Sequence, residues 1–294
     1  MPEISLIVAT HHRTFELHRL LDSLTQQNFK NFEIILVDQN NDDRLDALLK
    51  SHPYPSLDLK HLHHTPANLA IARNIGIAAA KGKWCGFPDD DCWYEPTTLE
   101  KLHQRCEGND MPHGVIARWV EQHPKLSPAS LSWKKSSRFR DLPVSSITLF
   151  LHKSLLARLG GFDGRLGVGQ WFGAADETDL VLRALKEQAN IVYEPTIVIH
   201  HKITESANQL TPFNRLQSKN RARGTGALYA KHDLSIWVIA RGLLGPILRP
   251  LVKGQFTHEL TDGVAQTLGR YQGWWYWNRQ NHHNAASRST VRDD

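Results

Sequence analysis

Apolar runs rich in β-branched residues alternate with amphipathic stretches through the first ninety residues, and each run stops at polar groups. Ile4-Ser5-Leu6-Ile7-Val8-Ala9 reads as a buried strand. Leu17, Leu20, Leu21 and Leu24 then recur at the spacing of one helix face. Phe32 to Val37 is a second strand, and it ends at Asp38-Gln39-Asn40-Asn41-Asp42-Asp43. Leu45, Leu48 and Leu49 predict a helix, Leu57 to Leu62 a half-exposed strand, Asn68 to Ala80 an Ala-rich helix closed by Lys81-Gly82, and Trp84 to Phe87 another strand. Strand and helix in alternation predict an α/β fold whose central sheet is mostly parallel and flanked by crossover helices. Open sheets of this kind bind ligands in the crevice beyond the carboxyl ends of their strands. Asp38 and the residues after Phe87 occupy two such ends.

Those residues are Asp89, Asp90 and Asp91, consecutive carboxylates that repel one another unless a cation or a very polar ligand neutralises them. Asp89 and Asp91, two apart on an extended segment, project to the same side. At the end of a buried strand this pattern points to a hard divalent metal and a phosphate partner, the competing reading being a solvated acidic turn. Asp38 alone also reads as a turn residue, and Arg73 alone as a solvent-facing helical arginine.

From about Met111 the pattern changes. Val115 to Arg118 and Ile147 to Phe150 look like strands of a mixed region, separated by a polar loop with Pro124, Pro128 and several serines. Leu180, Leu182 and Leu185 mark a helix after Asp176-Glu177-Thr178-Asp179, with Thr178 or Asp176 as its cap. Ile191 to Tyr193 and Ile197 to Ile199 read as two short strands, the second running into His200-His201. Beyond about Thr204 the chain is basic, helical and rich in tryptophan.

Length and composition bound the function class. A chain of 294 residues, 40% hydrophobic and 22% charged, builds an ordinary globular core. Its net charge of +5 suits an anionic ligand or an acidic membrane surface and does not argue for nucleic acid. Cys85, Cys92 and Cys106 are odd in number and lack a CxxC pair, which indicates neither a disulfide framework nor a zinc ribbon. His61, His63 and His64 cluster without acidic partners nearby in sequence and read as a polar edge. No amino-terminal signal sequence is legible, and Leu234 to Val252 is interrupted by Arg241, Pro246, Arg249 and Pro250, which argues against a bilayer span. The expected location is the cytoplasm, with peripheral attachment to the inner face of the cell membrane through the basic, Trp-rich tail.

Six blocks in order carry a more specific signal. They are Ile4 to Arg13 with its Thr-x-x-Arg turn, Val37-Asp38, Ala72-Arg73-Asn74-Ile75-Gly76, Phe87-Pro88-Asp89-Asp90-Asp91, Gly160-Gly161-Phe162-Asp163 followed by Asp176-Glu177-Thr178-Asp179-Leu180, and Pro195 to His201. Together they resemble family 2 glycosyltransferases of the Rossmann-like GT-A fold, over roughly residues 4 to 202. The chain departs from that pattern at His11-His12, where a Tyr-Asn or similar pair is usual. It departs again at Asp176-Glu177, where the acidic order is Glu-Asp.

The resemblance implies residues 1–110 as a nucleotide-sugar-binding half and 111–205 as the acceptor-binding half of one GT-A domain. It leaves 206–281 as a helical extension and 282–294 as a disordered tail. It implies Thr10, Arg13, Asp38, Arg73, Asp89 and Asp90 on the nucleotide-sugar, with Asp38 accepting the N3 proton of a uracil and Thr10 and Arg73 contacting base or phosphate. Asp91, in an Asp-x-Asp motif, and His201 would hold Mg²⁺ or Mn²⁺. Glu177 is the favoured general base, with Asp176 and Asp179 as competitors. The implied partners are a nucleotide-sugar, a UDP-sugar being favoured over dTDP- or GDP-sugars, and a glycan or lipid-linked acceptor in surface polysaccharide synthesis. Other readings are a sugar-1-phosphate nucleotidyltransferase, disfavoured because Thr10 to Thr14 lacks glycine, and a non-catalytic nucleotide- or nucleic-acid-binding protein.

Overall fold

The computed structural model describes residues 1–121, 127–138, 143–202, 211–252, 254 and 258–290. The first half alternates as its apolar pattern requires: β1 (Ile4–Thr10), α1 (Phe15–Thr25), β2 (Phe32–Asp38), α2 (Arg44–Ser51), β3 (Asp58–His63), α3 (Leu69–Ala79) and β4 (Trp84–Gly86). There follow β5 (Cys92–Tyr94), α4 (Thr98–Arg105), β6 (Gly114–Trp119), β7 (Ala129–Ser130), α5 (Trp133–Ser136), a 3-10 turn (Ser146–Thr148), β8 (Leu149–His152), α6 (Lys153–Leu159), α7 (Asp176–Lys186) and β9 (Ile191–His201). Three helices complete the chain: α8 (Pro212–Lys231), α9 (Ile236–Val252) and α10 (His258–Thr290).

Among the described residues one sheet runs β3-β2-β1-β4-β8-β6-β9-β5, with β7 paired to β9. It is parallel from β3 to β4 and mixed beyond, since β8 is antiparallel to β4 and β6, and β5 antiparallel to β9. Alternation along β1 sends Ile4, Leu6 and Val8 to one face and Ile7 to the other. The first face packs on Leu17, Leu20, Leu21 and Leu24 of α1 and on α4. The second packs on α3, α6 and α7. Each α1 leucine is fully buried, and truncating one to alanine removes about 2–5 kcal/mol.

Several elements differ from the sequence expectation. Ile191 to Tyr193 and Ile197 to Ile199 belong to one strand, β9, which runs through Pro195. The pairing to β6 shifts register between Ala117 and Arg118, and an irregularity of that kind accommodates a residue with no N–H to donate. Asp176 to Asp179 lie inside the first turn of α7 rather than before it, so Thr178 is not a cap; carboxylates there meet the positive helix end. Ile147 and Thr148 form a 3-10 turn because Thr148 bonds back to the Ser145 carbonyl through both its amide and its hydroxyl. The polar stretch read as a mobile loop contains β7 and α5, while 122–126 and 139–142 lie outside the described residues. Helix α10 continues through residues 282–290, read from composition as a disordered tail, since adding turns to an established helix costs little. Residues 291–294 lie outside the description.

Two compact units result. One comprises Met1–Ser136, Arg140–Gly164 and Glu177–Ile203; the other comprises Ser137–Phe139, Arg165–Asp176 and Thr204–Asp294. The boundary therefore differs from the sequence division at 205, because residues 165–176 group with the carboxyl-terminal helices. Within that second unit the Gly173 amide donates to the Asn220 carbonyl at 3.1 Å, Arg223 lies over the Trp171 ring at 4.5 Å, and Phe172 meets Trp277 at 5.2 Å. Helices α8 and α10 approach closely at Gly226 and Gly273, where any side chain would run into the backbone of the facing helix.

Candidate functional site

The site grows from the carboxyl ends of β1, β2 and β4. Thr10 and Asp38 are register partners at the ends of β1 and β2. The three aspartates fill the turn between β4 and the short strand β5, closed by the Cys92 amide on the Asp89 carbonyl at 3.2 Å. β5 pairs antiparallel with the end of β9, with Cys92 opposite His201 and Trp93 opposite His200. A strand of three residues thus carries the histidine to the triplet.

The turn gives the three aspartates different partners. Asp91 and Asp89 share a side with His201, and donor atoms of the three lie within 4.8 Å of one another. His201 Nε2 stands 2.9 Å from Asp91 Oδ1. His200 points the other way, stacked on Trp93 at 5.2 Å and paired with Glu95 at 3.2 Å and Glu121 at 3.1 Å. Asp90 turns inward and is 6% exposed; it accepts the Thr10 hydroxyl at 2.7 Å and Arg13 Nη1 at 2.8 Å. Arg13 also pairs with Asp91, and Arg19 Nη2 donates to the Asp91 carbonyl at 2.6 Å. The resemblance set Asp90 and Thr10 on the nucleotide-sugar. Here the Thr10 hydroxyl donates to Asp90 itself.

Charge at the cluster follows from these partners. Burial pushes the Asp90 carboxyl up to about 6, against the opposing pull of the Thr10 hydroxyl and Arg13. Burial also works to raise Asp91, but His201 and Arg13 outweigh it and hold the group below its ordinary value. The Asp91 hydrogen bond raises His201 above its ordinary value. Two carboxylates and one imidazole on a common side form an oxygen-rich donor set that fits Mg²⁺ or Mn²⁺.

Hydrogen bonds on successive residues lead from this cluster to α7. Arg73, 2% exposed on α3, donates from Nη2 to Asp89 Oδ1 at 3.0 Å. Its neighbour Asn74 holds the Phe162 amide at 2.8 Å and the Phe162 carbonyl at 2.9 Å. Gly161, at φ 73°, backs onto Asn74 so closely that a side chain would collide with its amide. Arg183 of α7 donates to the Gly161 carbonyl at 2.7 Å and the Leu159 carbonyl at 2.6 Å while its Nε binds Asp179 at 2.8 Å. Asp179 is fully buried and orients that arginine. Glu177, half-buried in the first turn of α7, has Thr178 Oγ1 at 3.4 Å. Asp176 is 3% exposed, and Gly167 backs onto its carboxylate.

Asp38 is fully buried. Its Oδ1 accepts the Asn40 amide at 2.8 Å and Asn40 Nδ2 at 2.7 Å, and its Oδ2 lies 3.2 Å from His61 Nε2 and 3.5 Å from His63 Nδ1. The histidines read as an edge without acidic partners therefore have one on β2, and a second, Asp46, on α2. Sequence spacing hid both, since the carboxylates are brought to β3 by parallel pairing and a crossover helix.

Comparison with known proteins bears on the same blocks. The family model described as Glycosyl transferase family 2 matches residues 5–146. An uncharacterized glycosyltransferase of Haemophilus influenzae is 37% identical over 203 residues, 65% of each chain. The uncharacterized glycosyltransferase YwdF of Bacillus subtilis is 31% identical over 198 residues, 63% of this chain and 69% of its own. This chain belongs to the family 2 glycosyltransferases.

Family membership extends to architecture. Staphylococcus aureus TarS 1-349, solved in complex with UDP-GlcNAc, superposes with a TM-score of 0.58 at 16% identity, covering 92% of this chain and 91% of that one. The mannosyltransferase PcManGT of Pyrobaculum calidifontis, solved with GDP-Man and Mn²⁺, gives 0.62 at 17%, covering 90% and 74%. The GT-A fold is thereby shown. The chain spans just under two thirds, 65%, of the Haemophilus relative's length. Sequence reasoning gave no role to Asn74, which clamps the Gly-Gly-Phe turn, and missed Arg19 behind Asp91 and the histidines around Asp38. The signal for Asn74 was its place beside Arg73, on a helix aimed at the strand ends.

Proposed function

We propose that this chain is a metal-dependent, inverting glycosyltransferase that moves a sugar from a UDP-sugar to a hydroxyl of a glycan or lipid-linked acceptor in surface polysaccharide synthesis. The observation that carries this reading is the convergence of Asp89, Asp91 and His201 beyond β4. When bound there, Mg²⁺ or Mn²⁺ supplies positive charge to the diphosphate leaving group. The other roles fall to side chains. Arg13 and Arg73, already paired with the triplet, are placed to exchange a carboxylate partner for a phosphate. Asp38 reads the base, which requires the half-exposed His63 to swing off its carboxylate. Glu177 takes the acceptor proton as the acceptor oxygen bonds to the anomeric carbon and the bond to the diphosphate breaks, its electron pair leaving with the diphosphate.

UDP is favoured because Asp38 ends β2 with an acceptor oxygen suited to an imide N–H, and the TarS complex holds a UDP-sugar in the same fold. Exposed Trp237, Leu244, Leu248 and Val252 on α9, beside Arg241 and Arg249, support docking of the second unit on an anionic membrane near a lipid-linked acceptor. No helix among the described residues is long and apolar enough to cross a membrane.

A thermal-shift screen of UDP, GDP and dTDP with and without Mn²⁺ tests donor and cofactor together. Stabilisation by UDP only with Mn²⁺ is expected, and Glu177→Gln is expected to keep that shift while turnover drops on the order of 100-fold or more. Normal turnover in Glu177→Gln would move the base to Asp176, and a shift with GDP alone would remove UDP.

A further inference from the structure

A second set of metal-ligating side chains lies at the neighbouring strand ends. His61 and His63, two apart on β3, face the same side, and His63 is in register with Asp38 of β2. Asp38 Oδ2 stands 3.2 Å from His61 Nε2 and 3.5 Å from His63 Nδ1, and all three donor atoms lie within 4.8 Å of one another. Metal bonds of roughly 2.0–2.2 Å arranged tetrahedrally put neighbouring donors about 3.3–3.6 Å apart, which is the spacing found on both sides of Asp38.

The surroundings hold the donors in ligating orientation. Asp46 on α2 places Oδ1 3.3 Å from His61 Nδ1, whereas its Oδ2, 3.8 Å from His63 Nε2, gives that ring charge but no hydrogen bond. A carboxylate on the far nitrogen of an imidazole fixes its tautomer and leaves the near nitrogen's lone pair for an ion. The two bonds from Asn40 occupy Asp38 Oδ1 and leave Oδ2 to the histidines. His63 is 53% exposed, which gives an ion a way in and room for a water as fourth ligand. Two imidazoles and one carboxylate favour a borderline ion, in contrast to the oxygen-rich set at Asp89, Asp91 and His201.

We propose that Asp38, His61 and His63, braced by Asp46, form a binding site for Zn²⁺ or a chemically similar transition ion, distinct from the metal centre beyond β4. An ion there ties both histidines over Asp38, so Zn²⁺ competes with the nucleotide base. The site stands on its own geometry; the competition rests on the base-reading role of Asp38.

Co²⁺, a visible-absorbing stand-in for Zn²⁺, tests the site in the full chain. His201→Ala, which disables the other centre, is expected to bind one Co²⁺ per chain with tetrahedral d–d bands that one equivalent of Zn²⁺ bleaches. The bands should vanish when His61→Ala and His63→Ala are added, with the far-ultraviolet circular dichroism unchanged. Should that variant fold poorly, Asp46→Asn, which leaves all three ligands in place, is expected to weaken Zn²⁺ about 10- to 100-fold. Absent bands in His201→Ala, bands that survive loss of both histidines, or an unchanged Zn²⁺ affinity in Asp46→Asn would overturn the site. For the competition, Zn²⁺ should raise the apparent Kd for UDP measured with Mn²⁺ in wild type but not in His61→Ala/His63→Ala with His201 intact. A Zn²⁺ site that leaves UDP affinity unchanged refutes the competition alone; failure of UDP to bind with Mn²⁺ refutes the function reading and leaves the Zn²⁺ site standing.

Discussion

Two groups of carboxylates end neighbouring parts of one sheet, and they are neutralised in opposite ways. The triplet beyond β4 is met mainly by permanent cations, Arg13 on Asp90 and Asp91 and Arg73 on Asp89, with one titratable group, His201 on Asp91. Asp38 at the end of β2 is met by titratable or neutral groups, His61, His63 and Asn40. A site built with fixed cations tolerates several clustered carboxylates and hands those cations to an anion when one arrives. A site closed by imidazoles opens or shuts with side-chain rotation and accepts softer ions. The contrast suits a division of labour in which the triplet takes the diphosphate and Asp38 takes the base.

The sharpest way to break this division is Asp91→Ala. It removes a donor shared by His201 and Arg13, and metal-dependent nucleotide binding should fall on the order of 100-fold or more in calorimetry. UDP affinity that survives with its Mn²⁺ requirement intact would place the ion elsewhere. Asp38→Asn keeps the shape but loses the charge, and should weaken UDP about ten- to a hundredfold with Mn²⁺ affinity unchanged. Equal loss of both would merge the two regions into one site.

Stability against pH gives a further test. Asp90 has a folded pKa of about 6, above the ordinary carboxylate value, so the native state holds its proton more tightly than the unfolded chain does. Its contribution to stability is complete below the unfolded value near 3.8 and is lost as pH rises to about 6, a fall of about 3 kcal/mol. Urea unfolding across that range, compared with Asp90→Asn, reads the difference; parallel curves for the two proteins would contradict the burial argument.

The first half of the fold was legible because β1, β2 and β4 are contiguous apolar runs that stop at polar groups, which set Asp38 and the triplet at strand ends. Arg73 and His201 were singled out only by the family resemblance. What escaped depended on partners far apart in the chain. β5 is three residues long, too short for a period, yet it is what aligns His201 with Asp91. The continuity of β9 through Pro195 was hidden because proline normally argues against a strand interior. The place of residues 165–176 follows from close packing at glycines of α8, which no hydrophobic period announces: Gly224 leaves no room for a side chain beside Ala174. His61 and His63 were visible, but their acidic partners come from β2 and α2, and only the fold brings them together.

The central claim concerns where a divalent ion sits when nucleotide is bound. Anomalous diffraction at the manganese edge from crystals grown with UDP and Mn²⁺ locates it directly. A peak is expected among Asp89, Asp91 and His201, with the diphosphate beside it. A peak only at Asp38, His61 and His63, or ordered UDP with no manganese near the triplet, would contradict it.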